Sequence, residues 1–501
     1  MIDFALGDEL ELVRATARDF ATDQLRGALR DHETERKLAT DVHQRFAEIG
    51  FATLEWPEAL GGSDLGALAR CVITEELSAG CPGAALALDG LGPALYPLLE
   101  LGGNTALEDF ALPLLATPGA RALLVWTGSG SRAQVGESGG KVSGQVPWVP
   151  ADRVDLLVGL DETGAWVISE GIATTRVPGA GLRAAGASSL QIEDAPLRAH
   201  WREPAAAGRA LARARLYNAA LLVGVMREAA EFSRDYAQQR TAFGRPIAHH
   251  QALAFLIADM AAAVDSARLL LWDAALAVDA RESAEERCAS AFLEASEQAL
   301  FVTPNALQIL GGHGLMQDYP VEKSMREART LSLSWGGVDA ARECAGREIL
   351  EHTQPLALLA EGGRWTSPST PRCANVSPGS APWVPNRSAR WAWRRIAWDA
   401  PRRRITTSSS GSSNSGRGER VGRATQPTTP RAWKPAPRWA IRGVFSVSPR
   451  RCLTGTAGWR SPSPGLAWAS PRYSPWAPPT SVDASSAPSS NPTGRAGAPS
   501  R

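Results

Sequence analysis

An arginine beside a glycine-bearing turn can pair with a pyrophosphate, and a Gly-Gly turn lets backbone N–H groups come close to a phosphate or a planar ring. The chain carries both arrangements. Arg240-Thr-Ala-Phe243-Gly244-Arg-Pro-Ile closes one helical stretch, and Gln251 opens the next beside the apolar face of Leu253, Leu256 and Ile257. Further on comes Gln308-Ile-Leu-Gly311-Gly312-His-Gly314, then Tyr319-Pro320-Val-Glu322-Lys-Ser-Met-Arg326-Glu-Ala-Arg329. Taken singly, an arginine at a helix end and a Gly-Gly stop are ordinary capping features. Their joint occurrence in this order is what carries information. His249 and His250 are adjacent, so they cannot share a helical face as an i, i+4 metal-binding pair would, and no metal site is expected.

The elements that must position these residues follow from periodicity. Residues 1 to 117 read as helices: Leu10, Val13, Ala17 and Phe20 make one apolar face, Trp56 to Gly62 is a loop with a Gly-Gly stop, and Cys71 to Ala79 resumes as helix. Residues 118 to 205 turn to Val, Gly, Ser and Pro, with short apolar runs at 155–160 and 165–169 that read as strands. Residues 206 to 360 return to long Ala/Leu/Glu/Arg helices, broken at Phe243–Pro246 and Gly311–Gly314. The order is helical, then β, then helical, with no internal repeat.

These motifs resemble the acyl-CoA dehydrogenase family, and the likeness runs from about residue 4 to about residue 353. Pro57-Glu58-Ala59-Leu60-Gly61-Gly62, then Glu75-Glu76-Leu77, is similar to the family's Pro-Glu-x-x-Gly-Gly and Glu-Glu-Leu. Leu101-Gly102 through Phe110-Ala-Leu-Pro113 resembles its Gly and Leu-Pro segment. Gly144 to Trp148, followed by Asp155-Leu-Leu-Val, resembles the strand pair whose Trp lies near the flavin. The resemblance implies a mainly α fold with a small middle β domain: a helical domain, a β-barrel-like domain and a C-terminal four-helix bundle that drives tetramer assembly. It implies FAD as cofactor. By position, Arg240, Phe243 and Gln251 would contact the FAD from one subunit, and Gln308, Gly311 and Gly312 that of its neighbour. Trp148 and Thr127 would lie by the flavin. It further implies an acyl-CoA substrate whose β-hydride passes to the flavin while a Glu removes the α-proton, and an electron-transfer flavoprotein as electron acceptor.

The sequence departs from the family at the base. The Tyr-Glu-Gly-Thr-like turn that carries the Glu in most members reads Ser334-Trp335-Gly336-Gly337, so Trp335 holds the Glu position. An indole N–H donates only and cannot accept a proton. Some members carry the base one residue before an Arg on an earlier helix; that slot is Ala214, before Arg215. Asp339, four residues past Trp335, reads as a solvated helix-start carboxylate. The flavin loop, usually Thr-Glu-Pro-x-x-Gly-Ser-Asp, is Trp126-Thr127-Gly128-Ser129-Gly130-Ser131, with Thr127 as the surviving member. Members that lack the base pair with an active sister in α2β2 heterotetramers, and this chain is expected to do the same, acting on a bulky acyl-CoA such as a steroid side chain. Two other readings stay open: a self-sufficient dehydrogenase or fold-related flavin monooxygenase with an unrecognised base such as Asp339, and a flavin-free structural partner.

Charge divides the chain. From Arg364 onward 22 basic residues face three acidic ones, a balance of +19, while residues 1–363 hold 31 basic and 49 acidic side chains, a balance of −18. The acidic body gives no electrostatic case for nucleic acid or an anionic membrane. No stretch approaches the ~20 apolar residues of a membrane span, and the N-terminus lacks the continuous apolar core of a signal peptide. Six scattered cysteines without a Cys-x-x-Cys pair suit a reducing, cytoplasmic setting. The tail, residues 361–501, holds ten of the seventeen Trp with many Pro, Ser and Arg, lacks a periodic apolar face, and is expected to be disordered. Its excess of Trp and Ser is what aliphatic codons give when read one base out of frame. Shifted back, the stretches from Trp365 and over Thr480–Ser490 both permit acyl-CoA dehydrogenase-like sequence under one offset. A second dehydrogenase gene directly downstream is the expected source. Resequencing the DNA across codons 355 to 370 should reveal either a frame error or a true fusion of two reading frames; a tail encoded in frame by an unrelated gene would refute this origin.

Overall fold

The computed structural model describes residues 6–117 and 119–351. The tail expected over 361–501 lies outside them. The first helix, α1 (Asp8–Phe20), has Asp8, Glu9 and Glu11 in its first turn and Arg18 in its last, which complements the helix dipole. Its expected apolar face turns inward, with Ala17 and Phe20 buried. α2 (Leu29–Glu35) and α3 (Thr40–Ile49) follow, and Gly50 ends α3 at φ 82°. The Pro57–Gly62 loop is a tight turn in which Gly62 lies against the fully buried Trp56.

α4 (Gly66–Gly80) is the axis of this region and is buried along nearly its whole length. Its N-terminus receives a carboxylate from far along the chain: Ala67 and Leu68 N–H donate to the two Asp279 oxygens at 2.6 and 3.1 Å. An anion there satisfies amides that have no helical acceptor. α5 (Pro82–Leu88) continues from α4, and α6 (Leu95–Pro97), α7 (Gly103–Ala106) and α8 (Leu112–Leu115) are short turns of one irregular helical run.

The middle region is two four-stranded sheets. β1 (Ala122–Trp126) pairs parallel with β4 (Leu156–Leu160), and β5 (Gly164–Ile168) and β8 (Ala199–Arg202) extend that sheet antiparallel, with Val158 opposite Val167. The other sheet has the order β2 (Gln134–Ser138), β3 (Lys141–Val149), β7 (Ser188–Pro196), β6 (Ile172–Arg176), all antiparallel. A small core that includes Val142, Leu157, Trp166, Ile168 and Leu190 belongs to these sheets. The β3–β7 register slips between Val146 and Val149. That bulge accommodates Pro147, which has no N–H for the ladder, and re-aims Trp148.

Pro204, at a position where a missing N–H costs nothing, starts the long helix α9 (Pro204–Gln239). A two-residue hairpin, β9 (Thr241–Ala242) and β10 (Arg245–Pro246), leads to α10 (Gln251–Asp279). α11 (Glu285–Leu310), α12 (Val321–Leu331) and α13 (Gly337–Glu351) complete the bundle. α9 crosses α4 closely because residue 224 is glycine: a Cβ there would sit 2.7 Å from Ser78 Cβ. Among the described residues no helix is long and apolar enough to cross a membrane, and no His/Cys/Asp/Glu group could hold a metal ion.

The Glu75-Glu76 pair clamps this crossing. Glu75 meets Arg268 of α10 at 2.8 Å and Arg227 of α9 at 3.3 Å; Glu76 meets Arg18 of α1 at 2.8 Å and Arg227 at 2.7 Å. Burial pushes the Glu75 carboxyl up, but Arg268 and Arg227 outweigh it and hold the group below its usual value. The stabilisation from a depressed carboxyl is therefore present above the unfolded-state value and fades as pH falls through the lower folded one. Glu75→Gln should cost about 1.5–3 kcal/mol in urea unfolding at neutral pH, because it takes a buried, charged hydrogen-bond partner from Arg268 and Arg227, and the gap to the parent should narrow in acid; a pH-independent difference would refute the clamp.

Candidate functional site

The two base positions lie at one end of the bundle. Ala214 is fully buried on α9, and one turn on, Asn218 Nδ2 donates to the Leu331 carbonyl at 3.4 Å, tying α9 to the end of α12. The turn Ser334–Gly336 follows. Trp335 (φ 49°, ψ 51°), Gly336 (φ 84°) and Gly337 (φ 67°) are successive left-handed residues that reverse the chain into α13. Trp335 packs half-buried against the helical core. Neither position offers a proton acceptor.

Arg213, the residue before Ala214, reaches carboxylates that are already engaged in ion pairs. Glu55, Arg70, Asp89, Tyr96 and Arg213 form one buried network: Arg70 to Glu55 at 2.9 Å and to Asp89 at 3.4 Å, Arg213 to Glu55 at 2.8 Å and to Glu100 at 2.8 Å. The Arg213 guanidinium also stacks 5.0 Å from the Tyr96 ring centroid. Asp339 is 92% exposed and pairs with Arg342 one turn on, at 3.3 Å, the geometry of a solvated helix-start residue. On the other side of Ala214, Arg215 is buried, its Nε has no partner among the described residues, and burial lowers its proton affinity.

The Thr127–Ser131 loop reaches the same end: a Cβ on Gly336 would lie 3.8 Å from the Ser129 carbonyl. The loop consumes most of its own donors. Thr127 N–H and hydroxyl donate to the Leu160 carbonyl at 2.8 and 3.2 Å, Ser131 N–H to Gly128, and the Ser131 hydroxyl to the Trp126 carbonyl. Ser129 N–H donates to Glu162 at 2.7 Å. Burial works against the Glu162 charge, but its hydrogen bonds with Ser129 prevail and hold the carboxyl below its usual value. Glu162 was not apparent from the sequence, since it arrives from the β4–β5 turn, 33 positions away. Trp148, re-aimed by the bulge, lies next to Gly179, where a Cβ would sit 3.1 Å from its indole nitrogen.

The remaining candidate residues gather at the opposite end of the bundle. Phe243 (φ 53°) and Gly244 (φ 78°) form the two-residue turn of the β9–β10 hairpin, a type that needs left-handed residues. Phe243 is 95% exposed. Arg240 caps α9, exposed and without an ion pair among the described residues, and Gln251 is the exposed first residue of α10. His250 holds the hairpin through Arg245 (3.2 Å) and the Ala242 carbonyl (3.3 Å). Gln308, Gly311 and Gly312 end α11, all exposed, with nothing within 4 Å of where a Cβ on either glycine would stand. A Tyr236–His313 hydrogen bond (2.7 Å) and the stacking of His313 on Tyr319 pin this turn to the last turn of α9. So Arg240, Phe243, Gln251, Gln308, Gly311 and Gly312 share one end of one chain.

From Asn218 to Arg240, α9 rises about six turns, roughly 33 Å. The Thr127 loop is at the Asn218 end and the hairpin at the other. The ribityl chain between a flavin ring and its pyrophosphate is far too short to bridge them within one chain.

Residues 7–118 match the family model for the acyl-CoA dehydrogenase N-terminal domain, and residues 205–350 that for the C-terminal domain. The chain belongs to the acyl-CoA dehydrogenase family. Mitochondrial short-chain specific acyl-CoA dehydrogenase of Bos taurus is 29% identical over 374 residues, covering 68% of this chain and 90% of that protein. Butyryl-CoA dehydrogenase from Megasphaera elsdenii shares the fold with TM-score 0.62 and 21% identity, covering 70% of this chain and 100% of that one. A variant of the Tcur3481-Tcur3483 steroid ACAD aligns with TM-score 0.61 and 25% identity, covering 69% of this chain and 99% of that one. Within this acyl-CoA dehydrogenase fold the hairpin is an appendage whose Phe243 ring has His250 as its aromatic neighbour. Phe243→Asp should therefore leave urea stability of the isolated chain within about 0.5 kcal/mol of the parent; a loss of several kcal/mol would mean that the ring is packed inside the fold.

Proposed function

We propose that this chain is the base-lacking subunit of an α2β2 acyl-CoA dehydrogenase, working in the FAD-dependent α,β-dehydrogenation of an acyl-CoA with a sister subunit that carries the catalytic Glu. The observation that carries this reading is that Glu55 and Glu100, the carboxylates reached by Arg213 beside Ala214 in sequence, are held by arginines, together with an indole at Trp335. A carboxylate locked between guanidinium groups is a poor proton acceptor, and an indole is none.

The residues fit FAD unequally. The end formed by Arg240, Phe243, Gln251, Gln308, Gly311 and Gly312 has an unpaired guanidinium, open backbone and an exposed ring, which suits a pyrophosphate and a planar base. The Thr127–Ser131 end has spent most of its donors on Leu160, Trp126 and Glu162. We therefore assign the first end to FAD seated on the sister subunit. Arg240 would neutralise the pyrophosphate there, Phe243 would cover the cofactor from water, and Trp148 and Thr127 would serve a weaker site or none. Bound FAD supplies the hydride acceptor of the reaction. Electrons would leave to an electron-transfer flavoprotein. A bulky substrate such as a steroid acyl-CoA draws support from the likeness to a steroid ACAD. The rival in which Asp339 is the base gains nothing from a side chain in solvent paired with Arg342.

The test is co-expression with the product of the downstream gene. The complex should be yellow and active, and this chain alone should turn over acyl-CoA at least ~10²-fold more slowly, the scale of a lost general base. Arg240→Ala in this subunit should strip FAD from the complex. Full activity of the lone chain, or FAD retention unaffected by Arg240→Ala, would overturn the proposal.

A further inference from the structure

A second cluster of reactive groups lies away from the base positions, at the seam between the N-terminal helices and the bundle. Lys323 of α12 is buried, and its Nζ lies 3.1 Å from the Sγ of Cys81, the residue between α4 and α5. On its other side Lys323 pairs with Glu327, one turn on. Glu327 is 1% exposed, and its second oxygen, Oε2, has no hydrogen-bond partner among the described residues. Arg26, Ser78, Cys81, Glu228, Lys323 and Glu327 all border one narrow cleft, whose room for a water-sized molecule is about 20 Å³. Arg26, on the outer side, has a half-exposed side chain, so a molecule as small as dioxygen or peroxide has a way to the sulfur.

A thiol is a weak partner for a buried ammonium. A hydroxyl or amide would satisfy Lys323 better, so packing alone gives little reason for sulfur here. What sulfur adds is the capacity to be oxidised. It sits in contact with an amine, and the amine is in contact with a carboxylate.

We propose that Cys81 and Lys323 form a covalent S–O–N bridge when the protein meets dioxygen or peroxide. With dioxygen, the S–H bond and one N–H bond of the neutral amine break, an S–O and an O–N bond form, and the second oxygen leaves as water with the two hydrogens. Sulfur and nitrogen each give up two electrons, and these four reduce both oxygen atoms; with hydrogen peroxide, which accepts two electrons per molecule, two molecules are consumed and three waters leave. Glu327 takes the proton that Lys323 must first shed. The bridge joins residues 242 positions apart and ties the α4–α5 junction to α12, the helix that leads into the Trp335 turn. Closing so long a loop stabilises the fold by restricting the unfolded chain, as a disulfide does.

The full chain, alone or with its partner subunit, would be treated with air or hydrogen peroxide, digested without reductant and analysed by mass spectrometry. The expected product is the residue-81 peptide joined to the residue-323 peptide, heavier than their sum by one oxygen less two hydrogens. It should vanish with dithiothreitol and be missing from Cys81→Ser. The oxidised protein should melt at a higher temperature than the reduced one, a shift that Cys81→Ser lacks. If Cys81→Ser fails to fold, reduction of the wild-type protein still decides the matter. Free thiol, sulfinic acid at Cys81 with an unlinked Lys323 peptide, or a direct S–N bond with no added oxygen would each overturn the proposal.

Discussion

Two consecutive acidic residues in the middle of a buried helix would normally be a defect. Here Glu75 and Glu76, neighbours on α4 that share Arg227, draw arginines from α1, α9 and α10 onto one crossing. Charges this deep persist only when paired, so each guanidinium fixes where its helix can lie. Gly224 lets α9 come close enough for Arg227 to reach both carboxylates. The direction of α9 is thereby set, and with it the placement of everything at its two ends. The Glu-Glu-Leu motif reads as a family signature; its physical content is this junction of three helices on a fourth.

The two ends of α9 have had different fates. Near Ala214 the interior is filled by ion pairs that satisfy one another, and the adjoining Thr127 loop folds its donors back on its own backbone. At the far end the hairpin and the Gly-Gly turn keep their polar groups and one aromatic ring turned outward. A site that has closed on itself and a surface that stays open would suit the division of labour between two subunits proposed above.

Motifs made of neighbouring residues were legible in the sequence. The break at Phe243–Pro246, the stop at Gly311-Gly312, the strands near 156–160 and 164–168 and the helical character on either side all follow from local turn chemistry and periodicity, though the hairpin form of that break did not. The Trp335 substitution was visible because it stands inside a fixed turn. Contacts between distant segments were not legible: Asp279 capping α4, Glu162 holding Ser129, and Lys323 against Cys81 link residues 212, 33 and 242 positions apart. No periodicity reports such pairs, since each depends on how whole elements dock. The sequence also ascribed the Arg240 and Gln308 groups to different FAD sites, without the sight of Tyr236 and His313 that holds both at one end.

The hairpin has a consequence for the cell. A phenylalanine almost wholly in water, with Leu315 and Met316 also exposed nearby in sequence to the Gly-Gly turn, is adhesive surface. In the proposed complex the sister subunit would cover it, and a copy made in surplus would display it continuously to chaperones and proteases.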